Sequence, residues 1–150
     1  MKKIFFLAIL FTFSASLCHA ESDLDGEWKL RYNVCVSLSG QELFCEKSSY
    51  DITISDSEFF YNGERMGGVT ENEEDNKVTF TFDNDYLNSL MDEKFQSYGL
   101  DLSKVDAELN LYGKLKDDKI RGKAEGKVTW NANGVDSKAD ISGKFKTKRK

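Results

Sequence analysis

Proline is absent from the 150-residue sequence, and histidine occurs once, at His19. Cysteine occurs three times; Cys18 lies beside that histidine in the N-terminal segment, which leaves Cys35 and Cys45. Beyond the first 20 residues these absences exclude a His-based triad, a His-ligated metal site and a structural zinc set. We therefore expect neither a cofactor nor a bound metal.

Paired carboxylates are the remaining route to acid–base catalysis, and the sequence offers the adjacent pairs Glu73-Glu74 and Asp117-Asp118. Both pairs fall in predicted turns, whereas a general acid needs surroundings that raise its pKa. The acidic run over residues 71–75 lacks the ligand spacing of an EF-hand and is typical of an exposed turn. We expect a binding protein and not an enzyme.

The first 20 residues have the layout of a secretory signal peptide. Two lysines precede an apolar run from Ile4 to Phe13, and small residues follow up to Ala20. No later apolar stretch approaches the ~20 residues that a bilayer-spanning helix needs. We therefore expect cleavage after Ala20, a secreted or periplasmic protein, and a single domain at residues 21–150.

Cys35 and Cys45 lie ten positions apart in a chain predicted to enter an oxidising compartment, which favours a disulfide over free thiols. Gly40 lies midway between them and is a candidate hairpin tip. With the tip there, residue 35 faces residue 45 and residue 37 faces residue 43 on antiparallel strands, close enough for a structural bridge. A redox pair is disfavoured because the CxxC spacing is absent.

Hydrophobic alternation with a period of two covers most of the chain beyond residue 25 and predicts β-strands. In the first strand the even positions from 28 to 38 are apolar or aromatic. Turn signals separate the later strands at residues 55–57, 62–63, 71–76, 116–119 and 131–134. The count is eight strands, and the length of the first favours a closed antiparallel up-and-down barrel.

The segment between residues 83 and 99 departs from this alternation. Its apolar side chains recur at spacings of one, three and four, which is typical of an amphipathic helix; they are Tyr86, Leu87, Leu90, Met91, Phe95 and Tyr98. The sequence thus predicts an all-β fold with one short helix between strands five and six. The helix covers one end of the barrel, either as a fixed plug or as a mobile lid over a ligand.

Gly26-Glu27-Trp28 enters the first long strand of the predicted barrel. In that position these residues resemble the GxW signature of the lipocalins and the wider calycin superfamily. The resemblance implies a small barrel that carries a ligand. It also implies that a basic residue of the last strand packs over the tryptophan, the candidates being Lys146, Lys148 and Arg149. Avidin-like and fatty-acid-binding-protein-like barrels share this architecture.

An eight-stranded barrel either fills its interior with side chains or holds one small ligand. Small residues on the predicted inner face of the last strands leave space, namely Gly122, Ala124, Gly126, Ala139 and Gly143. We therefore expect a small apolar or amphipathic ligand that contacts Trp28, Tyr32, Gly122, Ala124, Trp130 and Phe145. The alternative is that the glycines mark bends in coiled strands and that the aromatic rings fill the core.

Charge is divided unevenly: residues 21–100 hold 18 acidic and 6 basic side chains, whereas residues 101–150 hold 8 and 13. Pairing of the last two strands gathers a basic outer wall from Arg121, Lys123, Lys127, Lys144, Lys146 and Lys148. The wall is either a solvated face that also prevents strand aggregation or a contact for an anionic partner. Nucleic acid is not expected, because the chain is acidic and no aromatic platform accompanies the lysines.

A second functional hypothesis stands beside the ligand carrier. A protein-binding module, such as an enzyme inhibitor of the lysozyme-inhibitor type, would act through loops such as residues 62–68 or through the basic outer wall. The two hypotheses differ in their sensitive positions, because a carrier depends on interior residues such as Trp28 and Trp130.

Overall fold

Eight strands and one helix make up the residues that the structure, a computed structural model, describes, which are 23–99 and 103–150. The strands are β1 Gly26–Leu38, β2 Gln41–Ser55, β3 Glu58–Tyr61, β4 Glu64–Asn72, β5 Lys77–Phe82, β6 Ser103–Lys116, β7 Lys119–Ala132 and β8 Val135–Arg149. The helix α1, Asn84–Ser97, is too short and too polar to span a membrane. The predicted signal peptide, residues 1–20, lies outside the described residues.

Each strand pairs antiparallel with the next along the chain, and β8 pairs with β1 to close the barrel. The prediction of an eight-stranded up-and-down barrel is therefore confirmed, as is the single helix between strands five and six. Five of the strands have 13 to 15 residues each, which is long enough for them to tilt and curve around a core.

Two-residue turns with positive φ connect most neighbouring strands, because this backbone geometry matches the right-handed twist of paired strands. They are Ser39-Gly40, Asp56-Ser57, Asn62-Gly63, Asp117-Asp118 and Asn133-Gly134. Gly, Asn and Asp adopt the left-handed region more readily than other residues, so these turns are encoded locally.

The β1–β2 hairpin differs from the prediction near its tip. Cys35 faces Cys45 as predicted, but Ser37 faces Glu42 and not residue 43. The hairpin turns in two residues, so β2 carries one residue more than β1 over this span, and a β-bulge absorbs the excess. Leu43 is left out of the pairing, and its side chain is 46% exposed.

The end of the barrel near Trp28 is filled with side chains. Trp28 is fully buried, and its indole N–H donates to the carbonyl of Leu24 at 2.8 Å. Phe80 makes edge-to-face contacts with Phe59 and Phe145, with ring centroids 5.4 Å and 6.0 Å away. These rings leave this end without space for a guest molecule.

Arg149 closes the same end. Its guanidinium lies 4.4 Å from the centroid of the Trp28 ring, and its Nη1 donates to the carbonyl of Asp25 at 2.8 Å. The expectation that a basic residue of the last strand packs over this tryptophan is confirmed, with Arg149 in that place. Lys146 and Lys148 are exposed on the outer face.

The opposite end of the barrel has an incomplete wall because β3, β4 and β5 are short. β2 pairs with β3 over residues 52–55, and β6 pairs with β5 over residues 110–114. Helix α1 occupies the space beyond these pairings. There the side-chain oxygen of Asn88 accepts a hydrogen bond from the backbone N–H of Ala107 at 2.7 Å, where a strand would otherwise pair with β6.

Candidate functional site

A void of about 50 Å³ lies between α1 and the inner face of the barrel. Most of its wall is apolar and comes from Val34, Met66, Phe82, Leu87, Leu90, Met91, Leu109, Leu111 and Ile141. The polar part of the wall comes from Tyr32, Glu46, Tyr50 and Tyr86. Pockets for drug-sized ligands measure roughly 300 Å³ or more, so a guest of that size fits here only if α1 moves outward.

Tyr32, Tyr50 and Glu46 form a polar cluster at one side of the void. The Tyr32 hydroxyl donates to Oε1 of Glu46 at 3.4 Å and lies 3.3 Å from the Tyr50 hydroxyl, and the two rings stack with centroids 5.7 Å apart. Glu46 points inward because it faces Val34 across the β1–β2 ladder and alternates with exposed neighbours. This part of the inner face is therefore polar.

The surroundings of the void raise the pKa of two of its tyrosines, Tyr32 and Tyr86. Burial, the hydrogen bond with Tyr50 and the charge of Glu46 raise the pKa of Tyr32 well above its usual value. Burial also raises the pKa of Tyr86, with smaller contributions from Tyr50 and Glu64. Hydroxyl groups that stay neutral can both donate to and accept from the polar end of a ligand.

Helix α1 is held over the void by its apolar face and by an ion pair. Leu87, Met91 and Phe95 are buried on that face. The Nζ of Lys94 lies 3.1 Å from Oε2 of Glu46, and this interaction raises the pKa of Lys94. Partly exposed ion pairs contribute little stability, so the link between α1 and β2 rests more on Phe44, whose ring stacks on Tyr98 at 5.2 Å and meets Phe95 edge to face at 6.1 Å.

A side opening lies between residues 45–51 of β2 and helix α1. The Cα atoms of Cys35 and Cys45 are 4.0 Å apart, which is the spacing of a non-hydrogen-bonded pair, so the backbone groups of Lys47, Ser49 and Asp51 point away from β1. Within the described parts of the chain these backbone groups have no hydrogen-bond partner. β2 thus presents an unpaired edge along the side opening.

Aromatic side chains surround the side opening. Tyr50 meets Tyr61 edge to face with centroids 4.8 Å apart, and Tyr86 stacks on Phe82 at 6.4 Å. Tyr86 and Leu90 line both the void and the external groove beside β4. These two half-buried side chains therefore separate the void from the groove.

The predicted ligand-contacting residues fall in different parts of the barrel. Tyr32 lines the void, whereas Trp28 and Phe145 belong to the filled end. Trp130 lies near the other end, where its ring packs against that of Phe95 on α1 at 5.5 Å. Ligand contact by these residues stays a prediction, and the geometry favours Tyr32 among them.

Gly122 and Ala124 lie on the inner side of β7. A Cβ atom at Gly122 would lie 1.8 Å from the carbonyl oxygen of Tyr112, and one at Gly143 would lie 2.1 Å from that of Asn33. The missing side chains therefore make room for a neighbouring strand, which is the alternative role weighed from the sequence. Ala124 is buried in the middle of β7 and contributes only a methyl group to the interior.

Sequence reasoning missed Glu46 and Tyr50 as site residues. The predicted hairpin places residues 43 and 45 opposite the first strand but assigns no inward residue between Cys45 and Tyr50; the strand runs from Gln41 to Ser55. The alternation of Ile52 and Tyr50 extends back through Glu46 to Phe44 on the same face. This extended alternation is the feature of the sequence that points to Glu46 and Tyr50 as inward residues. The charge of Glu46 interrupts the apolar pattern, so the alternation is hard to recognise there.

Cys35 and Cys45 form the predicted disulfide. The carboxylate of Glu42 lies within 4.8 Å of both sulfur atoms, but bonded sulfurs do not serve as thiolate ligands. The bridge joins β1 to the part of β2 that borders the side opening.

The geometry defines a class of protein: a small closed β-barrel with a helix over an interior void. No family model, no curated protein and no solved structure matches the chain. The barrel itself is consistent with a lipocalin-like fold.

Proposed function

We propose that this protein is an exported lipocalin-like barrel that binds a small amphipathic ligand at the void beneath α1. The observation that supports this most directly is the division of the void wall into an apolar part and the polar cluster of Tyr32, Tyr50 and Glu46. Because ligand sites combine apolar lining with a few convergent polar groups, this wall suits one amphipathic molecule.

The polar cluster restricts the chemistry of the ligand. Glu46 is an inward carboxylate whose partners are the Tyr32 hydroxyl and the Lys94 ammonium. A ligand that takes the place of Lys94 must supply a positive charge or a strong hydrogen-bond donor, because a buried unpaired carboxylate is costly. The apolar part of the ligand then lies against Leu87, Met91 and their neighbours.

Helix α1 acts in this proposal as a lid, and the side opening is the route of entry. A ligand larger than about 50 Å³ must displace α1, which is tied to β2 through Lys94 and Glu46. Tyr86 and Leu90 separate the void from the groove beside β4, and rotation of these side chains opens a second path on that side. Loops and short elements at the weakly held end of a scaffold move more readily than its core.

Export and a binding role fit other features of the chain. The Cys35–Cys45 disulfide suits an oxidising compartment. Trp28 at the start of β1, with Arg149 over its ring, suits the lipocalin-like assignment. A chain whose single histidine is His19 has few groups for general-base catalysis, which supports binding and not turnover.

The test begins with the full chain expressed in a bacterial host and purified from the periplasm without denaturation. Native mass spectrometry and solvent extraction look for a bound molecule, and titration with the uncharged fluorophore N-phenyl-1-naphthylamine measures the free site. Val34→Phe fills the void, because Val34 is in its wall. Val135→Phe is the matched control, because Val135 is 63% exposed at the β7–β8 turn.

We expect a stoichiometric guest or saturable fluorophore binding in the native protein and in Val135→Phe, and loss of both in Val34→Phe. Circular dichroism verifies that Val34→Phe remains folded; Val34→Leu is the second variant if it does not. A native protein with no guest and no fluorophore binding would overturn the proposal, and so would equal binding by native protein and folded Val34→Phe.

A protein-binding module is the second candidate function, and the small size of the void favours it. An external groove runs beside the Asn62-Gly63 hairpin and carries Glu64, Asp83, Asp85 and Glu93 around Arg65. A protein that inhibits an enzyme would contact its target through this groove or through the basic outer wall. Under this candidate, substitutions at residues 62–68 change function, whereas Val34→Phe does not.

A further inference from the structure

Toward one end of the barrel, the outer face of β1, β6, β7 and β8 carries ten exposed cations at residues 29–31, 114–116, 119–123 and 144–148, which we call the basic face: Lys29, Arg31, Lys114, Lys116, Lys119, Arg121, Lys123, Lys144, Lys146 and Lys148. Five of the six residues of the predicted basic wall belong to it. The sixth, Lys127, is paired with Glu108 at 3.3 Å and lies beyond it. The basic face is on the outside of the barrel and shares no residue with the void wall.

The strand register arranges these cations in rows. One row crosses four strands in the order Arg31, Lys146, Arg121 and Lys114. The next row crosses the same strands in the order Lys29, Lys148, Lys119 and Lys116. Neighbouring strands lie about 4.8 Å apart, so cations face cations directly, which is an unfavourable arrangement in a sheet.

Acidic side chains border the basic face at Asp51, Asp75 and Glu125, but they form no ion pair with its cations. Across residues 23–99 and 103–150, none of the ten cations has an ion-pair partner. Six described cations outside the face do have ion-pair partners, as Arg65 has in Asp83 and Arg149 in Asp118. The repulsion on the basic face is therefore left for a molecule outside the chain to compensate.

Protection against aggregation does not account for the basic face. Lysines on outer strands commonly protect unpaired sheet edges. β7, β8 and β1 are each paired on both sides, so this part of the closed barrel has no edge to protect. The unpaired edge along residues 45–51 of β2 has Lys47 and no row of cations. Solubility alone favours interspersed charges of both signs.

The opposite side of the barrel is acidic. β4 is four strands away from β8 in the closed order, and the groove between β4 and α1 carries Glu64, Asp83, Asp85 and Glu93. The formal net charge of the chain is −5. A polyanion is therefore repelled by most of the protein and attracted by the basic face. This charge division orients the protein with the basic face toward the polyanion.

The shape of the face selects a flexible linear partner. The outside of a closed barrel is convex, so a planar bilayer touches it along a narrow strip, whereas a flexible chain can follow a row around it. Within the described residues the face has no apolar side chain for insertion into a bilayer and no series of aromatic rings for stacked bases. Tyr112, 46% exposed, faces Lys123 at its border and offers one flat surface for a sugar ring.

From these observations we propose that the basic face binds a linear anionic polysaccharide, with sulfate, phosphate or carboxylate groups along the cation rows and a sugar ring against Tyr112. This site is independent of the interior ligand. Occupation of the face replaces repulsion between neighbouring cations with attraction to the partner, and affinity falls as the salt concentration rises.

The test measures binding of the native protein to dextran sulfate, with uncharged dextran as the blank. The row variant Arg31→Gln/Arg121→Gln/Lys146→Gln removes three cations from the centre of the face. The control Lys104→Gln/Lys127→Gln/Lys138→Gln makes the same charge change at exposed positions outside it. Tyr112→Ala tests the sugar contact, with inorganic polyphosphate as a polyanion that has no sugar.

We expect roughly 10-fold weaker binding to dextran sulfate in the row variant and nearly native binding in the control. Tyr112→Ala weakens binding to dextran sulfate but not to polyphosphate. N-phenyl-1-naphthylamine binding stays unchanged in the row variant, which shows that the basic face and the void are separate sites. Unchanged binding also shows that the variant is folded. If the native protein does not bind this fluorophore, the thermal melting curve of the row variant shows that it is folded.

Several results would overturn the proposal. The first is a native protein that does not bind dextran sulfate, and the second is an equal loss in the row variant and the control. The third is stronger binding to phosphatidylglycerol vesicles or to oligothymidylate than to dextran sulfate, which would assign the face to a membrane or to nucleic acid. Stronger binding to polyphosphate than to dextran sulfate would show that the sugar ring does not contribute to binding, and it would also overturn the proposal.

Discussion

The guanidinium of Arg149 stacks 4.4 Å from the centroid of the Trp28 ring, and the two residues are direct partners where the last strand meets the first. Arg149 also donates to the backbone carbonyls of Asp23 and Asp25, which precede β1. Its Nε lies 2.9 Å from the carboxylate of Asp118 in the β6–β7 turn. One side chain thus joins the N-terminal approach, the β1–β8 seam and a neighbouring turn.

Arg149→Gln should lower the free energy of unfolding by about 1 to 3 kcal/mol, because it removes the cation–π contact and several hydrogen bonds of a charged donor. Arg149→Lys should lose nearly as much, since an ammonium cannot reproduce the planar fork. Urea denaturation measures both. Lys138→Gln, on the same strand but opposite uncharged Thr129, is the control. Equal stability of native protein and Arg149→Gln would contradict this role.

Local signals explain why so much of the barrel could be predicted from the sequence. Alternation identified the inner face of β1, turn chemistry identified the Asn62-Gly63 hairpin, and the GxW resemblance pointed to the basic partner of Trp28. Each of these features depends on residues close in sequence or on a single cross-strand pair. The disulfide belongs to the same group, because Cys35 and Cys45 face each other within one hairpin.

The site could not be predicted, because it depends on relations between distant strands. The side opening exists because β2 outruns β3 and β6 outruns β5, and only the assembled register shows which residues border it. Glu46 is the exception, because the register that pairs Cys35 with Cys45 also places Glu46 opposite Val34, so alternation within the hairpin indicates its inward position. The glycines looked like space for a ligand, but at Gly122 a neighbouring backbone fills that space.

Removal of the disulfide should loosen the wall of the side opening. Residues 41–51 of β2 pair with β1 and with no other described strand. In Cys35→Ser/Cys45→Ser this pairing is no longer reinforced by a covalent bond. The chain-entropy relation for so short a loop gives a loss of about 2 to 3 kcal/mol. Hydrogen exchange should accelerate at residues 41–51 more than in β7. Uniform acceleration throughout the barrel would contradict this assignment.

Alkaline pH should destabilise the fold through Tyr32. Its pKa is raised in the folded protein, first by burial, so the unfolded chain loses this proton at a lower pH than the folded chain does. The stabilisation is complete below the usual tyrosine pKa of about 10 and declines as pH rises above it, with a slope for this group of at most about 1.4 kcal/mol per pH unit.

Tyr32→Phe should therefore show a shallower loss of stability than native protein above about pH 10. Urea denaturation at a series of pH values measures the difference, and Tyr112→Phe, at an exposed position, is the matched control. Identical slopes in native protein and Tyr32→Phe would show that the pKa of Tyr32 is the same in the folded and unfolded states.

Neutralisation of a central cation on the basic face should stabilise the barrel. Lys146 faces Arg31 on one side and Arg121 on the other, so Lys146→Gln removes two unfavourable cross-strand pairs. The expected gain is about 0.2 to 1 kcal/mol at low ionic strength, and it should vanish in about 1 M salt because screening removes the repulsion. Lys138→Gln is the control, because Lys138 faces uncharged Thr129. A loss of stability in Lys146→Gln would mean that its aliphatic stem, and not its charge, dominates at this position, and the cation rows would then carry no strain for a polyanion to relieve.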